Sequence, residues 1–421
     1  MSAHADVVVV GAGQGGAQTA MALRQLKFAG SILVIGAEPE LPYERPALSK
    51  EYLAGDKAFT KMLLRPETFW QERNIDFLLG TRITSVDAKK KEVRSADGRS
   101  ISYGSLVWAT GGRPRLLSCQ GGDLQGVHCI RDRADVDRLK DELAGVTNVV
   151  VVGGGYIGLE AAAVLRKKEK HVTVLEAESR VLSRVAGEAL SRFFEDEHRK
   201  QGVDVRLGAQ VVCIEGQDGR ATGVRLASGR TGSPEVLPAD LVVVGIGITA
   251  EVEPLITAGA EGGAGGVLVD LFGKTTLPDV YAAGDCAAHA NVFAAGGVVR
   301  LESIQNANDQ ATVIAKVLSG KLEENERYDA VPWFWSNQYD LRLQTVGLSQ
   351  GHDDALVRGD ITTRSFSVVY LRGGKVIALD CVNKTKDYVQ GKMLITTGRI
   401  VDRAKLADPE ILLKDLAQAL A

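Results

Sequence analysis

Cysteine is scarce in this chain and carries no pattern. The five cysteines, Cys119, Cys129, Cys213, Cys286 and Cys381, are scattered, odd in number and never spaced CxxC. That usage suits a reduced cytoplasm rather than a disulfide framework. Long apolar runs are also missing, and none approaches the ~20 residues of a membrane span. The opening string Met1-Ser2-Ala3-His4-Ala5 lacks a cationic region followed by an apolar core, so no signal peptide is expected. A net charge of −3 leaves no basic footprint for nucleic acid. His4, His128, His171, His198, His289 and His352 form no cluster, so neither a general acid–base catalyst nor a metal site is assigned. What remains is a soluble, cytoplasmic, multidomain protein. At 421 residues it has length for about three domains, and its 45% hydrophobic content can fill their cores.

Glycine, by contrast, is abundant and patterned. Gly11-Ala12-Gly13-Gln14-Gly15-Gly16 follows the apolar run from Val7 to Val10. Gly153-Gly154-Gly155-Tyr156-Ile157-Gly158 follows the run from Val149 to Val152. Each time a buried-strand pattern meets a glycine turn and then an alanine-rich amphipathic stretch. A dinucleotide pyrophosphate needs that strand–turn–helix: a tight turn, a bare backbone for phosphate, and close packing of helix on strand. The phosphates then lie at a helix N-terminus, where free N–H groups and the dipole favour negative charge. One GxGxxG is weak; two in correct context predict an α/β chain with two Rossmann-like dinucleotide-binding domains.

The first unit continues through a helix over Ala17–Leu26 and a strand over Ile32–Ile35. Asp97-Gly98 between alternating runs signals a hairpin. Lys89, Lys90 and Lys91 read as a solvated strand edge, and Leu106 to Gly112 as a short buried strand broken by glycine. The second unit repeats the scheme with a helix over Leu159–Arg166 and a strand over Val172–Leu175. Lys167, Lys168 and Lys170 suit that helix's C-terminal dipole. A polar hairpin region from Val203 to Leu226 follows, and Leu241 to Gly247 closes the unit. Gly284-Asp285-Cys286 ends a later strand at an expected helix start. There Asp285 either accepts hydrogen bonds from a ribityl hydroxyl or merely caps the helix. Beyond Val331 the composition shifts to a strand-rich tail, expected to end in a helix from Pro409 to Leu420.

Together these pieces resemble the FAD-dependent ferredoxin and rubredoxin reductases that serve oxygenases. The carriers are Leu41-Pro42-Tyr43-Glu44-Arg45-Pro46-Ala47-Leu48-Ser49-Lys50, Ala109-Thr110-Gly111-Gly112-Arg113-Pro114, Gly154-Gly155-Tyr156-Ile157-Gly158-Leu159-Glu160, Arg300-Leu301-Glu302-Ser303 and Pro332-Trp333-Phe334-Trp335-Ser336-Asn337-Gln338. The chain departs from the family pattern at Ala47, where a second proline is usual, and at Asn337, where aspartate is usual.

The resemblance implies a glutathione-reductase-like architecture: an FAD-binding domain over 1–112 and 246–325, an NAD-binding domain over 113–245 and an α+β C-terminal domain over 326–421. It puts the FAD pyrophosphate at Gly11, Gly13, Gln14, Gly15 and Gly16, with the adenosine ribose near Ala37 and Glu38. Gly36 stands where the strand-end acid is expected, so Glu38 must reach from the loop. Arg45, Lys50, Ile83, Arg131, Asp285, Ile304 and Trp333 are implied flavin contacts. NAD(H) is implied at Gly153, Gly155, Tyr156, Ile157, Gly158 and Gly247. Glu160 would lie beside the nicotinamide carboxamide, paired with Lys50 across the flavin. Glu176, 18 residues beyond Gly158, would hold the adenosine ribose and repel a 2′-phosphate.

The implied reaction carries a hydride from NADH to FAD and single electrons to a [2Fe–2S] ferredoxin that feeds a cytochrome P450 or aromatic-ring oxygenase. Lys50, Glu160 and Trp335 are its expected catalytic residues, and Trp333 and Trp335, at alternate strand positions, share a face suited to the ferredoxin. A monomer or weak dimer is expected. Disulfide reductases, and NADH oxidases or peroxidases, need cysteine after the first strand–helix unit, and the stretch from Phe28 to Asp56 has none. Cys286 reads as packing. A redox sensor of the apoptosis-inducing-factor type and a rubredoxin reductase are the remaining alternatives.

Overall fold

The computed structural model describes residues 3–229 and 232–419. Met1 and Ser2 of the opening string and Leu420 of the expected last helix therefore lie outside the described residues. The chain divides into two compact units. One takes the chain up to Glu44, Thr60–Arg113 and Thr249–Pro332; the other takes Arg45–Phe59, Pro114–Ile248 and the chain from Trp333 on.

In the first unit the strands Ile75–Leu78, Ile32–Ile35, Ala3–Val10 and Ser100–Trp108 lie side by side and parallel, and Val280–Ala282 adds to Ser100–Trp108. An antiparallel meander of Ile83–Asp87 and Glu92–Ser95 extends the sheet on the far side of Ser100–Trp108. The valine run is buried on both faces, as a covered parallel strand requires. Val7 and Val9 pack with Ala17, Ala20 and Leu23 of the helix Gln14–Gln25 and with Ile314 of the helix Ile304–Leu318. Val8 and Val10 pack on the opposite side with Ile35, Leu106 and Trp108.

The second unit repeats the device. Asp204–Arg206, His171–Leu175, Asn148–Val152, Leu241–Val244 and Val127–Cys129 form a parallel sheet in that spatial order. In both sheets the order of strands reverses beside the strand that carries the glycine turn. That reversal opens the crevice in which α/β sheets take ligands. The same unit holds an antiparallel sheet in the order Trp333–Gln338, Leu341–Gly347, Lys375–Val382, Ser365–Arg372 and Asp354–Asp360. Arg45–Phe59 is early in sequence yet belongs here: the Tyr52 hydroxyl donates to Asp137 Oδ1 at 2.5 Å, and Lys140 Nζ lies 4.2 Å from the Tyr52 ring.

Several local expectations need correction. Lys89 and Lys90 lie in the turn between Ile83–Asp87 and Glu92–Ser95, where Asp87 Oδ1 accepts from both their backbone N–H groups. They are a capped turn, not a strand edge. Gly284-Asp285 does not start a helix. Gly284 turns the chain at φ +80°, and the strand Ala287–Ala290 follows, pairing with Gly266–Val269. The last helix begins at Leu413 rather than Pro409. Both cradle helices begin a turn earlier than their apolar periodicity suggests, at Gln14 and Tyr156, because glycines in the first turn mask the helical pattern.

Candidate active site

The first cradle is built by glycines that no other residue can replace. Gly11 has φ +114°, and a Cβ there would lie 2.3 Å from the Ala109 carbonyl oxygen. A Cβ at Gly16 would lie 1.9 Å from the Gly11 carbonyl oxygen. Strand end and helix start are therefore locked backbone to backbone. Gly13 is the N-cap of the helix, which has neither a side-chain cap nor an acid in its first turn. Such a start presents N–H donors and positive dipole to an anion.

Other elements of the unit converge on this helix start. Gln14 Nε2 donates to Asn308 Oδ1 at 2.8 Å and Gln18 Nε2 to Thr312 Oγ1 at 3.1 Å, so the two helices run side by side. Ile304 opens the second of them behind Ser303, whose hydroxyl accepts from Asn306 N at 3.1 Å. Gly284 N donates to Gln310 Oε1 at 2.8 Å. Asp285 is half-buried beside it, and its carbonyl accepts from Arg300 Nη1 at 2.8 Å. Ala37 is exposed, and Glu38 accepts from the Tyr43 hydroxyl at 2.5 Å. Ile83 is buried at the start of its strand among the core residues that include Ile35.

The second cradle repeats the two close backbone contacts of the first. Gly153 has φ +111°, and a Cβ there would meet the Gly245 carbonyl oxygen at 2.4 Å. One at Gly158 would meet the Gly153 oxygen at 2.0 Å. Gly155 is the N-cap, again without a side-chain cap or an acid in the first turn. Gly247, at φ +96°, follows the closing strand. Ile157 is exposed, and the Tyr156 ring packs on Phe334 with centroids 4.7 Å apart. Glu176 comes directly after the strand His171–Leu175. Its carboxylate is fixed by backbone donors, Gly154 N to Oε2 at 2.8 Å and Glu178 N to Oε1 at 2.9 Å. Each oxygen keeps a further lone pair for a ribose hydroxyl.

Glu160 lies on the second cradle helix and is only 2% exposed. A carboxylate so buried requires compensation, and three groups supply it. Lys50 Nζ and Ser49 Oγ both donate to Oε2 at 2.6 Å, and Ser336 Oγ donates to Oε1 at 2.6 Å. Lys50 thus pairs with Glu160 by direct contact. The ion pair expected from the resemblance is formed, with no group between the two side chains. Arg45 Nη1 donates to the Arg131 carbonyl at 2.9 Å, and Arg131 N donates to Asp135 Oδ2 at 3.0 Å. Trp333 and Trp335 are half-exposed and stacked, with centroids 5.7 Å apart and planes tilted by 35°.

Sequence reasoning gave no role to Ser49 or Ser336, although both lie inside the strings that carried the resemblance. Cys286 is buried, with Sγ 3.3 Å from the Ala283 carbonyl oxygen and 3.4 Å from that of Trp108. Burial pushes its thiol up to about 11. Among the described residues no helix is long and apolar enough to cross a membrane.

Two such cradles, each at the switch point of its own sheet, define an oxidoreductase that handles two dinucleotides. Residues 5–311 match the family described as pyridine nucleotide-disulphide oxidoreductase, and residues 333–417 match the reductase C-terminal domain. The chain is 58% identical over 413 residues to a ferredoxin–NAD(P)+ reductase from a Sphingomonas species, covering 98% of this chain and 97% of that one. It is 56% identical over 417 residues to the ferredoxin reductase subunit of the 5,5′-dehydrodivanillate O-demethylase of a Sphingobium species, covering 99% of each. Among solved structures, the covalent putidaredoxin reductase–putidaredoxin complex aligns with a TM-score of 0.92 at 38% identity, over 100% of this chain and 99% of that one. The chain belongs to the pyridine nucleotide-disulphide oxidoreductase family, among its ferredoxin reductases.

Proposed function

We propose that this chain oxidises NADH, holds FAD as its resident cofactor and delivers electrons to a [2Fe–2S] ferredoxin serving a cytochrome P450 or ring-hydroxylating oxygenase. The observation that carries this reading is the duplicated cradle, one in each unit, with Gly11 and Gly16 in the first making the same backbone contacts as Gly153 and Gly158 in the second. On this reading residues 1–112 and 246–325 hold FAD, 113–245 hold NADH, and 326–421 form the third domain. The reductase acts in the cytoplasm as a monomer or weak dimer.

The first cradle fits FAD. Its glycine-capped helix start can take the pyrophosphate, Glu38 the adenosine ribose, and Asp285 and the N-terminus of Ile304–Leu318 the ribityl chain and phosphate. FAD, when bound, supplies the conversion between a two-electron donor and one-electron acceptors. The rest falls to the protein. Gly155 to Gly158 receive the NADH pyrophosphate, and Glu176 accepts from the ribose hydroxyls. Glu160, held from both sides, orients the nicotinamide amide. Trp333 and Trp335 offer an aromatic face to the ferredoxin. Glu176 and the exposed Glu178 beside it set the preference for NADH, since a 2′-phosphate there meets negative charge.

A purified holoenzyme should show a bound-flavin spectrum that NADH bleaches rapidly and NADPH at least tenfold less efficiently, from the loss of charge-assisted bonds of ~1.5–3 kcal/mol. Equal kcat/KM for the two donors would refute the assignment of Glu176. Cytochrome c reduction should depend on added ferredoxin and weaken as ionic strength rises. Trp335→Ala should leave NADH-to-ferricyanide activity near normal and depress the ferredoxin reaction. Equal loss with both acceptors would place Trp335 in the flavin scaffold instead.

A further inference from the structure

The strand Trp333–Gln338 has an inverted pattern. Its half-exposed face carries Trp333 and Trp335, while Ser336 and Gln338, two residues apart on the other face, are each 1% exposed. Polar side chains are normally buried only when their hydrogen bonds are satisfied, and here the bonds form a chain. Ser336 Oγ donates to Glu160 Oε1 at 2.6 Å, and Gln338 Nε2 donates to Ser336 Oγ at 3.3 Å. Gln338 Oε1 lies 2.8 Å from His198 Nε2, and the Tyr339 hydroxyl lies 3.0 Å from His198 Nδ1. His198 itself is fully buried, on the helix Glu188–Lys200.

The polarity of this chain is forced. A carboxylate only accepts, so the one Ser336 proton goes to Glu160. Gln338 must then give its amide N–H to Ser336, which turns its oxygen to His198. The imidazole, which burial pushes down to about 4, is neutral; it carries its proton on Nε2 and accepts at Nδ1 from Tyr339. Every donor points towards Glu160.

We propose that Ser336, backed by Gln338 and His198, is a positioning residue for hydride transfer: this one-way relay fixes the rotation of the Glu160 carboxylate that faces the nicotinamide. The proposal rests on the reading of Glu160 given above. Lys50 and Ser49 both bind Oε2, so Ser336 is the group that holds the other oxygen in place. The NADH-oxidising half of the enzyme is thus built partly from its C-terminal sheet.

The test is anaerobic stopped-flow reduction of the holoenzyme by NADH. Ser336→Ala should lower the limiting rate roughly tenfold, the cost of a hydrogen bond to a charged group, with the NADH dissociation constant within about twofold. Ser336→Thr should restore the rate. Gln338→Leu, which removes the donor to the Ser336 oxygen while leaving the Ser336–Glu160 bond in place, should cost about threefold and gives the same readout if Ser336→Ala fails to retain flavin. Adding Ser336→Ala to Glu160→Ala should slow the reaction no further, because one acts through the other. A wild-type rate in both Ser336→Ala and Gln338→Leu, beside a slow Glu160→Ala, overturns the relay and leaves Glu160 in its role. Full multiplicative loss in the double variant also overturns it. A wild-type rate in Glu160→Ala removes the reading on which the relay rests.

Discussion

The two cradles share their glycine backbone contacts and differ most tellingly at one corner. In the first unit the loop carries Ala12 and the strand end carries Gly36; in the second the loop carries Gly154 and the strand end Glu176. A Cβ at Gly36 would lie 2.8 Å from Ala12 Cβ, and one at Gly154 would lie 2.9 Å from Glu176 Oε2. There is space for one side chain at this corner. Where the loop residue fills it, no acid can leave the strand end, and Glu38 is supplied two residues later and tied to Tyr43. Where the loop yields, the acid sits at the corner itself and is clamped by two backbone N–H groups. On the function proposed above, the difference converts one scaffold into two nucleotide sites with differently placed ribose acceptors.

The strongest way to break the comparison is to fill each cradle. Gly16→Ala and Gly158→Ala each drive a methyl group into a carbonyl oxygen at about 2 Å, an overlap that only backbone movement relieves. Gly16→Ala should abolish FAD binding, seen as colourless protein. Gly158→Ala should retain flavin that dithionite reduces and NADH does not. The same defect in both variants would end the assignment of one nucleotide to each cradle.

Next in size is Glu160, which has no counterpart carboxylate in the first cradle helix. Glu160→Ala should leave adenosine and pyrophosphate contacts intact and slow flavin bleaching at saturating NADH by ~10²-fold, a common cost of lost positioning. An unchanged rate would return Glu160 to a structural role.

A subtler test addresses the corner. Gly154→Ala places its methyl against the far end of a flexible side chain and the edge of Val181, so the protein should fold while Glu176 is displaced. The preference for NADH should shrink by roughly the tenfold that Glu176→Ala removes, mainly through weaker NADH binding. Gly36→Ala meets the fixed Ala12 instead and should lower stability rather than change donor choice. Retained NADH preference in a folded Gly154→Ala would show that the corner does not set it.

These contrasts mark what the sequence could reveal. Each cradle was legible because its glycines answer backbone demands that show in the residue type, and each valine run because a strand covered on both faces needs nothing else. Glu176 was legible as the acid directly after such a run. The shell of Glu160 was not: Ser49 lies 111 residues and Ser336 176 residues away in sequence, and only the fold brings them together. The helix Glu188–Lys200 escaped notice because its buried face includes Glu195, Glu197 and His198, which blur the apolar period. Gly284-Asp285 misled because a turn into a strand uses the same residues as a turn into a helix.

Glycine-capped helix starts sharpen the comparison once more, since a third one is closed by the protein itself. Gly187 begins Glu188–Lys200 without a side-chain cap of its own, but its N–H donates to the Tyr370 hydroxyl at 2.9 Å. A Cβ at Gly187 would strike the Tyr370 ring at 2.5 Å. The same hydroxyl donates to Asp380 Oδ2 at 2.6 Å, and burial pushes the Asp380 carboxyl up to about 7. The folded state therefore holds a proton that an unfolded aspartic acid releases near pH 4. Between about pH 4 and 7 the native protein binds more protons, so this group's contribution to stability is lost as pH rises through that window. Asp380→Asn removes the titration while keeping an acceptor for Tyr370. His198, pushed down to about 4, gives the opposite slope, but it is present in both proteins and cancels in their difference. The Tm of the wild type relative to Asp380→Asn should therefore fall by a few degrees between pH 5 and pH 7.5, with NADH-to-ferricyanide turnover unaffected in direction. A pH-independent difference in Tm would mean that Asp380 stays ionised and that the third helix start is held by a charged rather than a neutral acid.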